Sequence, residues 1–190
     1  GVVWDTNYSG MTDQNPVHDI YRFESKLYAG GSFRKAGGKT VNGFTYWNGL
    51  EWDSINIAFH NNGVLSGFSE INSELICVGS FDSVGLDSSP NIASWDGFSW
   101  NSIGLPHAIS GYSITDCVKF QNELFFSGHF CDSSFVLCDL IKWDGINWTK
   151  IGGFNGYVFS MSVYNNELYI GGDLFTGVPG QHIVKYDGTN

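Results

Sequence analysis

The sequence predicts an all-β fold, a β-propeller of four-stranded antiparallel blades, with four blade equivalents of about 48 residues in the chain. One phrase recurs. Leu27-Tyr28-Ala29-Gly30-Gly31-Ser32-Phe33 is followed by Trp47-Asn48-Gly49 and then Trp52. It returns as Leu75 to Phe81 with Trp95-Asp96-Gly97 and Trp100, and as Leu124 to Phe130 with Trp143-Asp144-Gly145 and Trp148. A fourth copy runs from Leu168 to Leu174 with Tyr186-Asp187-Gly188. The spacing is regular: Trp4, Trp52, Trp100 and Trp148 lie 48 residues apart, and the leucine anchors are 48, 49 and 44 apart. The apolar runs are short and bounded by turn residues, as buried strands are, and no stretch carries helical periodicity.

The phase sets the boundaries. Trp4 aligns with the second Trp of each copy, 23 residues before Leu27 as Trp52 is before Leu75. Residues 1–9 therefore read as the outer strand of a blade, followed by repeats at 10–57, 58–105, 106–153 and 154–190. No linker or low-complexity segment divides the chain, so residues 1–190 are expected to form a single propeller domain or a segment of a larger propeller. Either residues 1–9 complete the last blade and close a four-bladed ring, hiding two strand edges, or the ring has further blades. The second reading is favoured. Gly1 is not an initiator Met, so a processed or trimmed chain is expected.

Each copy predicts four strands. The inner strand is Val17 to Phe23, Leu65 to Ile71, Ile114 to Phe120 and Val158 to Tyr164. A short polar turn leads to the Leu-Tyr-x-Gly-Gly strand, whose glycines allow positive φ or close backbone approach. A loop of variable length follows at 34–41, 82–91, 131–139 and 175–181. The third strand ends at Trp47, Trp95, Trp143 or Tyr186, and the Asn-Gly or Asp-Gly pair after it signals a hairpin, since both residues tolerate left-handed conformations. The outer strand carries the second Trp and Ile55, Ile103 or Ile151.

Composition narrows the function classes. The formal net charge is −10 with scattered acids, which argues against nucleic acid, whose phosphates need a basic surface. The charge is sufficiently explained as a solubility device. No apolar run approaches the roughly 18 residues of a membrane-spanning helix, so membrane insertion is not expected. Of four cysteines, Cys77 and Cys117 occupy core slots and read as buried thiols. Cys131 and Cys138 bracket a loop that has lost its glycines, and a disulfide between them would staple it and point to an oxidising compartment. A metal site adding His129 is the weaker alternative, since paired C-x-x-C spacing is missing.

The Leu-Tyr-x-Gly-Gly-x-Phe…Ala-Gly-Gly…Trp-Asn/Asp-Gly-x-x-Trp pattern resembles kelch-type propeller repeats. It is closer still to repeats of large secreted and cell-surface bacterial proteins and of the fungal cortical polarity marker. The resemblance covers essentially the whole chain. It implies the propeller fold and an extracellular or cell-surface setting, often as one module of a multidomain protein. It implies no chemistry, because propellers host unrelated functions. The shorter period and Gly-His signature of WD40 repeats are missing.

No catalytic constellation emerges. His18, His60, His107, His129 and His182 fall at different repeat positions, and there is no H-E-x-x-H, G-x-S-x-G or P-loop pattern. Asp82, Asp87 and Asp132 lie in the variable loops, but calcium needs about six to eight closely placed oxygens and no D-x-D-x-D run supplies them. No cofactor or metal is expected. The sequons at Asn7 and Asn147 matter only in a eukaryotic secretory setting. Trp4, Trp52, Trp100 and Trp148 are the candidate ligand-binding residues, as sugar-stacking platforms repeated once per blade. The competing and favoured reading makes them packing between blades. The sequence therefore predicts a non-catalytic binding, adhesion or structural module with rim loops contacting a protein or glycan partner. A carbohydrate-binding propeller is the alternative, and a kelch-fold enzyme the least favoured reading.

Overall fold

The computed structural model describes residues 10–11, 13–55, 59, 63–105, 109–132, 137–151, 156–174 and 182–189; at 109–112, 131–132 and 137–138 it describes the backbone alone. The fold is all-β, four antiparallel sheets arranged as the blades of a propeller. Blade 1 contains β1 (Val17–Phe23) and β2 (Lys26–Gly31), a short pair β3 (Lys35–Ala36) and β4 (Lys39–Thr40), then β5 (Phe44–Trp47) and β6 (Trp52–Asp53). Blade 2 repeats this with β7 (Val64–Ile71), β8 (Glu74–Ser80), the pair β9 (Ser83–Val84) and β10 (Asp87–Ser88), β11 (Ile92–Trp95) and β12 (Trp100–Ser102). Blade 3 is β13 (Ile109–Phe120), β14 (Glu123–Asp132), β15 (Leu137–Trp143) and β16 (Trp148–Ile151). Blade 4 shows β17 (Tyr157–Tyr164), β18 (Glu167–Asp173) and β19 (Ile183–Tyr186). The sheet orders β1-β2-β5-β6, β7-β8-β11-β12 and β13-β14-β15-β16 are sequential once the short pairs are set aside. The four-strand reading of the sequence therefore holds in three blades, and the fourth has three described strands.

The inner strands β1, β7, β13 and β17 neighbour one another in succession, and three apolar clusters lie between the blades. The rule of packing is the same each time. Phe23 and Phe44 of blade 1 meet Leu65, Phe68 and Leu75 of blade 2. Ile71 and Ile92 of blade 2 meet Ile114, Cys117 and Leu124 of blade 3. Phe120 and Leu140 of blade 3 meet Val158, Met161 and Leu168 of blade 4. The period of the sequence is thus the period of the core: each blade presents one face forward and receives the previous blade on the other.

The hairpins that the Asn-Gly and Asp-Gly pairs signal are present, between β5 and β6, β11 and β12, and β15 and β16. The pair of left-handed residues belongs to the turn between the first two strands: Asn72 and Ser73, Gln121 and Asn122, and Asn165 and Asn166 all have positive φ. After the third strand only the glycine is left-handed, at φ 103° for Gly49, 98° for Gly97 and 100° for Gly145. There the acid or amide caps the turn instead. Asp96 Oδ1 accepts from the amides of Phe98 and Ser99, and Asp144 Oδ1 from those of Ile146 and Asn147. The variable loops differ too. In blades 1 and 2 they hold the short pairs β3–β4 and β9–β10, and in blade 3 the strands themselves run on to Asp132 and resume at Leu137.

The second glycine of the Gly-Gly strand is explained by close approach. A Cβ on Gly31, Gly79, Gly128 or Gly172 would overlap the carbonyl oxygen of Pro16, Val64, Ser113 or Tyr157 respectively, and none of these glycines has positive φ. The overlap lies beside a register shift that recurs in each inner strand: between Val17 and Asp19, Leu65 and Gly67, Ile114 and Asp116, and Val158 and Ser160. In blades 1 to 3 this bulge turns one side chain toward the neighbouring blade, and it builds the site described next.

Candidate functional site: the mouth of the inner strands

The extra residue at each bulge is His18, Ser66, Thr115 or Phe159. The first three bond the backbone of the following blade. His18 Nδ1 lies 3.0 Å from the Leu65 carbonyl oxygen. Ser66 Oγ donates to the Ile114 carbonyl at 2.5 Å, and Thr115 Oγ1 to the Val158 carbonyl at 3.2 Å while sharing a 2.9 Å hydrogen bond with Ser127 Oγ. His18, Ser66, Ser80, Ser113 and Thr115 line a groove of about 220 Å³ between the inner strands of blades 1 to 3. A smaller hollow of about 70 Å³ continues it past Thr115 to His129, Tyr157 and Phe159. The His129 and Tyr157 rings lie 4.8 Å apart, and Tyr157 and Phe159 are exposed.

One residue further along each strand, two carboxylates act as clamps. Asp19 Oδ2 accepts from the Phe68 amide at 2.9 Å and Asp116 Oδ2 from the Met161 amide at 2.7 Å. Their other oxygens accept from the amides of Ile20 and Cys117. Burial pushes the Asp116 carboxyl up to about 6, against the pull of the Met161 and Cys117 amides, and the Asp19 charge adds to the rise. Asp19 is also raised by burial, against the Phe68 and Ile20 amides. Chemically, these carboxylates hold blades together, each oxygen already engaged by backbone. Among the described residues no group of three His, Cys, Asp or Glu is placed to hold a metal ion.

The sequence-predicted residues fall as follows. Trp100 sits between blades 1 and 2, its ring 5.1 Å from Phe44, 5.2 Å from Phe59 and 5.2 Å from Trp95. Trp148 sits between blades 2 and 3, 5.3 Å from Phe126 and stacked on Trp143 at 5.7 Å. Trp52 packs on the receiving face of blade 1 with Ala29, Phe33 and Val41, edge-on to Trp47. All three are half-buried members of apolar clusters, and none lines the groove. Trp4 lies outside the described residues, as do His60 and His107. His182 Nδ1 is exposed, 3.7 Å from Asp173 Oδ1. Asp82 and Asp87 remain in the rim loop of blade 2.

Cys77 and Cys117 are buried free thiols, as their repeat slots predict, and burial pushes both well above the usual thiol range, leaving them unreactive. The side chains of Cys131 and Cys138 lie outside the described residues, as does that of Asp132. In the ladder Cys131 stands opposite Leu137 and Cys138 opposite Phe130, so the two are one register step apart rather than directly paired.

Sequence reasoning missed the bulge residues and both carboxylate clamps. His18, Ser66 and Thr115 have different residue types, so alignment by identity hides them. A signal existed: each immediately follows the aliphatic residue, Val17, Leu65 or Ile114, at the head of the repeat's inner-strand pattern. The sequence matches no known protein-family model and no curated protein.

Proposed function

We propose that the chain is a non-catalytic binding module, a kelch-like propeller of a secreted or cell-surface protein, that takes a protein or glycan ligand at the mouth of its inner strands. The observation that carries this reading is the use to which the polar groups are put. The hydroxyls of Ser66 and Thr115 and the carboxylates of Asp19 and Asp116 are tied to the backbone of the next blade. A rigid groove edged by hydroxyls, imidazoles and exposed rings suits recognition, in which a few placed polar groups fix orientation and apolar surface supplies affinity. A nucleophile would need a free base beside it, and these groups are engaged structurally.

The glycan reading has its own support. Tyr157 and Phe159 are exposed beside His129 and Thr115, the pairing of aromatic face and polar donor that sugar rings take. A glycan array with the purified chain separates the options. Binding that survives Trp52→Ala but is lost in both His18→Glu and Phe159→Ser, with circular dichroism unchanged, places a glycan at the mouth. Binding lost in Trp52→Ala or Trp100→Ala and kept in the mouth variants assigns it to the blade tryptophans. With no glycan bound, a peptide-display selection whose winners compete at the mouth supports a protein ligand. Turnover of any substrate in the array, or stoichiometric copper or zinc in the purified protein, would refute the non-catalytic reading.

A further inference from the structure

Three exposed apolar side chains recur at one position of the repeat. Leu50, Phe98 and Ile146 follow the Asn-Gly or Asp-Gly pair of blades 1, 2 and 3 and are 84, 90 and 84 % exposed. Single apolar residues scattered over a surface are ordinary, but these hold one slot in three successive blades. The turn itself does not need them. The amide at that slot donates to Oδ1 of Asn48, Asp96 or Asp144, and Thr189 donates in the same way to Asp187 Oδ1 in blade 4 with a polar side chain.

The three lie at one end of the blades. Connections alternate ends in an antiparallel sheet, so the β5–β6, β11–β12 and β15–β16 hairpins share an end with the β1–β2, β7–β8 and β13–β14 turns, opposite the mouth. There the turns of successive blades touch. Gln121 Nε2 donates to the Asp187 carbonyl at 3.0 Å, and Asn72 Nδ2 stands 3.3 Å from where a Cβ on Gly145 would lie. The apolar side chains are therefore presented on capped and braced turns, with little backbone freedom to lose on binding. Charge decides what covers them. The turns at 24–26, 48–51, 72–74, 96–99, 121–123, 144–147, 165–167 and 187–189 hold eight carboxylates and a single lysine, Lys26, which lies over the Tyr46 ring. Glu51, Glu123 and Glu167 are paired with lysines. The amides of Ser99 and Phe98 hold Asp96, and those of Asn147 and Ile146 hold Asp144, below the usual carboxylate range, so both are negative at neutral pH. Such a face repels an anionic lipid surface, and a second copy of the chain would bring the same charge to it.

We propose that this end of the blades docks a basic amphipathic segment of a partner protein, whose apolar side chains cover Leu50, Phe98 and Ile146 and whose Lys or Arg residues meet the surrounding carboxylates. Opposite charge selects the partner and the apolar contacts hold it. The mouth lies at the other end of the strands, so a ligand there and a partner here can be held at once.

Fluorescence anisotropy with a labelled amphipathic Leu/Lys peptide of about 18 residues tests it. The whole chain should bind it saturably at micromolar concentration. Phe98→Ser should weaken binding about 10-fold, and serine at all three positions at least about 100-fold, with the urea midpoint unchanged. Glu24→Lys, beside Gly97 of the next blade, should weaken it about 5-fold. Leu86→Ser, on a fully exposed residue of the β9–β10 loop at the other end, should change nothing. No saturable binding, equal binding of a Leu/Glu peptide, or binding indifferent to the triple variant would overturn the proposal. So would cosedimentation with phosphatidylcholine vesicles, or self-association, that the triple variant abolishes, since either assigns the face to a different occupant.

Discussion

The junction between blades 1 and 2 and the junction between blades 2 and 3 use the same positions with opposite sizes. In the first, blade 2 sends the large Phe68 toward Gly30, where a Cβ would lie only 2.6 Å from the ring. In the second, the position of Gly30 is taken by Val78, and that of Phe68 by the small Cys117; both are buried in one cluster. The polar clamp alternates as well. Asp19 crosses the first junction, but its blade 2 equivalent is Gly67, which crosses nothing. The charge of a junction therefore alternates from one to the next, while the repeat conserves its volume rather than the identity of each residue. That is the expected behaviour of close-packed interiors, where a methylene gained on one side must be lost on the other.

The largest effect should come from putting one junction's residue into the other. Gly30→Val against an unchanged Phe68 should cost about 3 kcal/mol in a urea titration. Phe68→Cys alone should cost about the same, through a cavity. The pair together reproduces the second junction and should cost less than the sum, with a coupling of about 2 kcal/mol. Strict additivity would break the size-exchange account.

Next is charge. Gly67 lies between the clamps, with the position of a Cβ 3.6 Å from Asp116 Oδ1 and its neighbour Phe68 bonded to Asp19. Gly67→Asp would crowd three carboxylates and should cost roughly 2 kcal/mol at pH 7, relieved as the pH falls toward 5 and one of them takes a proton. Gly67→Ala meets only ordinary contacts and should be close to neutral.

A smaller effect sharpens the role of Asp116. Its folded-state carboxyl titrates at about 6, above the ordinary value of 3.8. Between those two values the folded chain holds the proton more tightly than the unfolded one, so this group lowers stability as pH rises through that window. Asp116→Asn should flatten that part of the stability–pH curve; an unchanged slope would show that Asp116 is not the titrating group. The smallest effect is at the exposed turn caps. The amides of Ser99 and Phe98 hold Asp96 below the usual carboxylate range, so its contribution is present at neutral pH and fades as pH falls below 3.8. Asp96→Ala should lower the melting temperature least of these variants, and only above that pH.

The propeller was legible because its evidence is periodic: the 48-residue spacing of the tryptophans survives substitution anywhere else. Trp52, Trp100 and Trp148 could be read as packing residues, and Cys77 as a core residue, because each fills a slot that apolar residues fill in other copies. The mouth was not legible. His18, Ser66 and Thr115 share a backbone geometry, not a chemistry, and a bulge leaves no mark in an alternation of apolar residues. Asp19 and Asp116 look like surface acids until the amides of the next blade, 49 and 45 residues away, are brought to them. The hairpins after the third strand were legible from the Asn-Gly and Asp-Gly pairs; the role of the acid or amide as a cap of two amides was not, because the pair alone does not say which of its residues is left-handed.

Methyl-labelled protein and nuclear Overhauser contacts test the stacking of blades most directly. The account predicts contacts from Ile71 and Ile92 to Ile114 and Leu124, and from Leu140 to Leu168, with none from Ile71 or Ile92 to Leu168. Contacts joining Ile71 or Ile92 to Leu168 in place of Ile114 and Leu124 would contradict the order of the blades and every junction built on it.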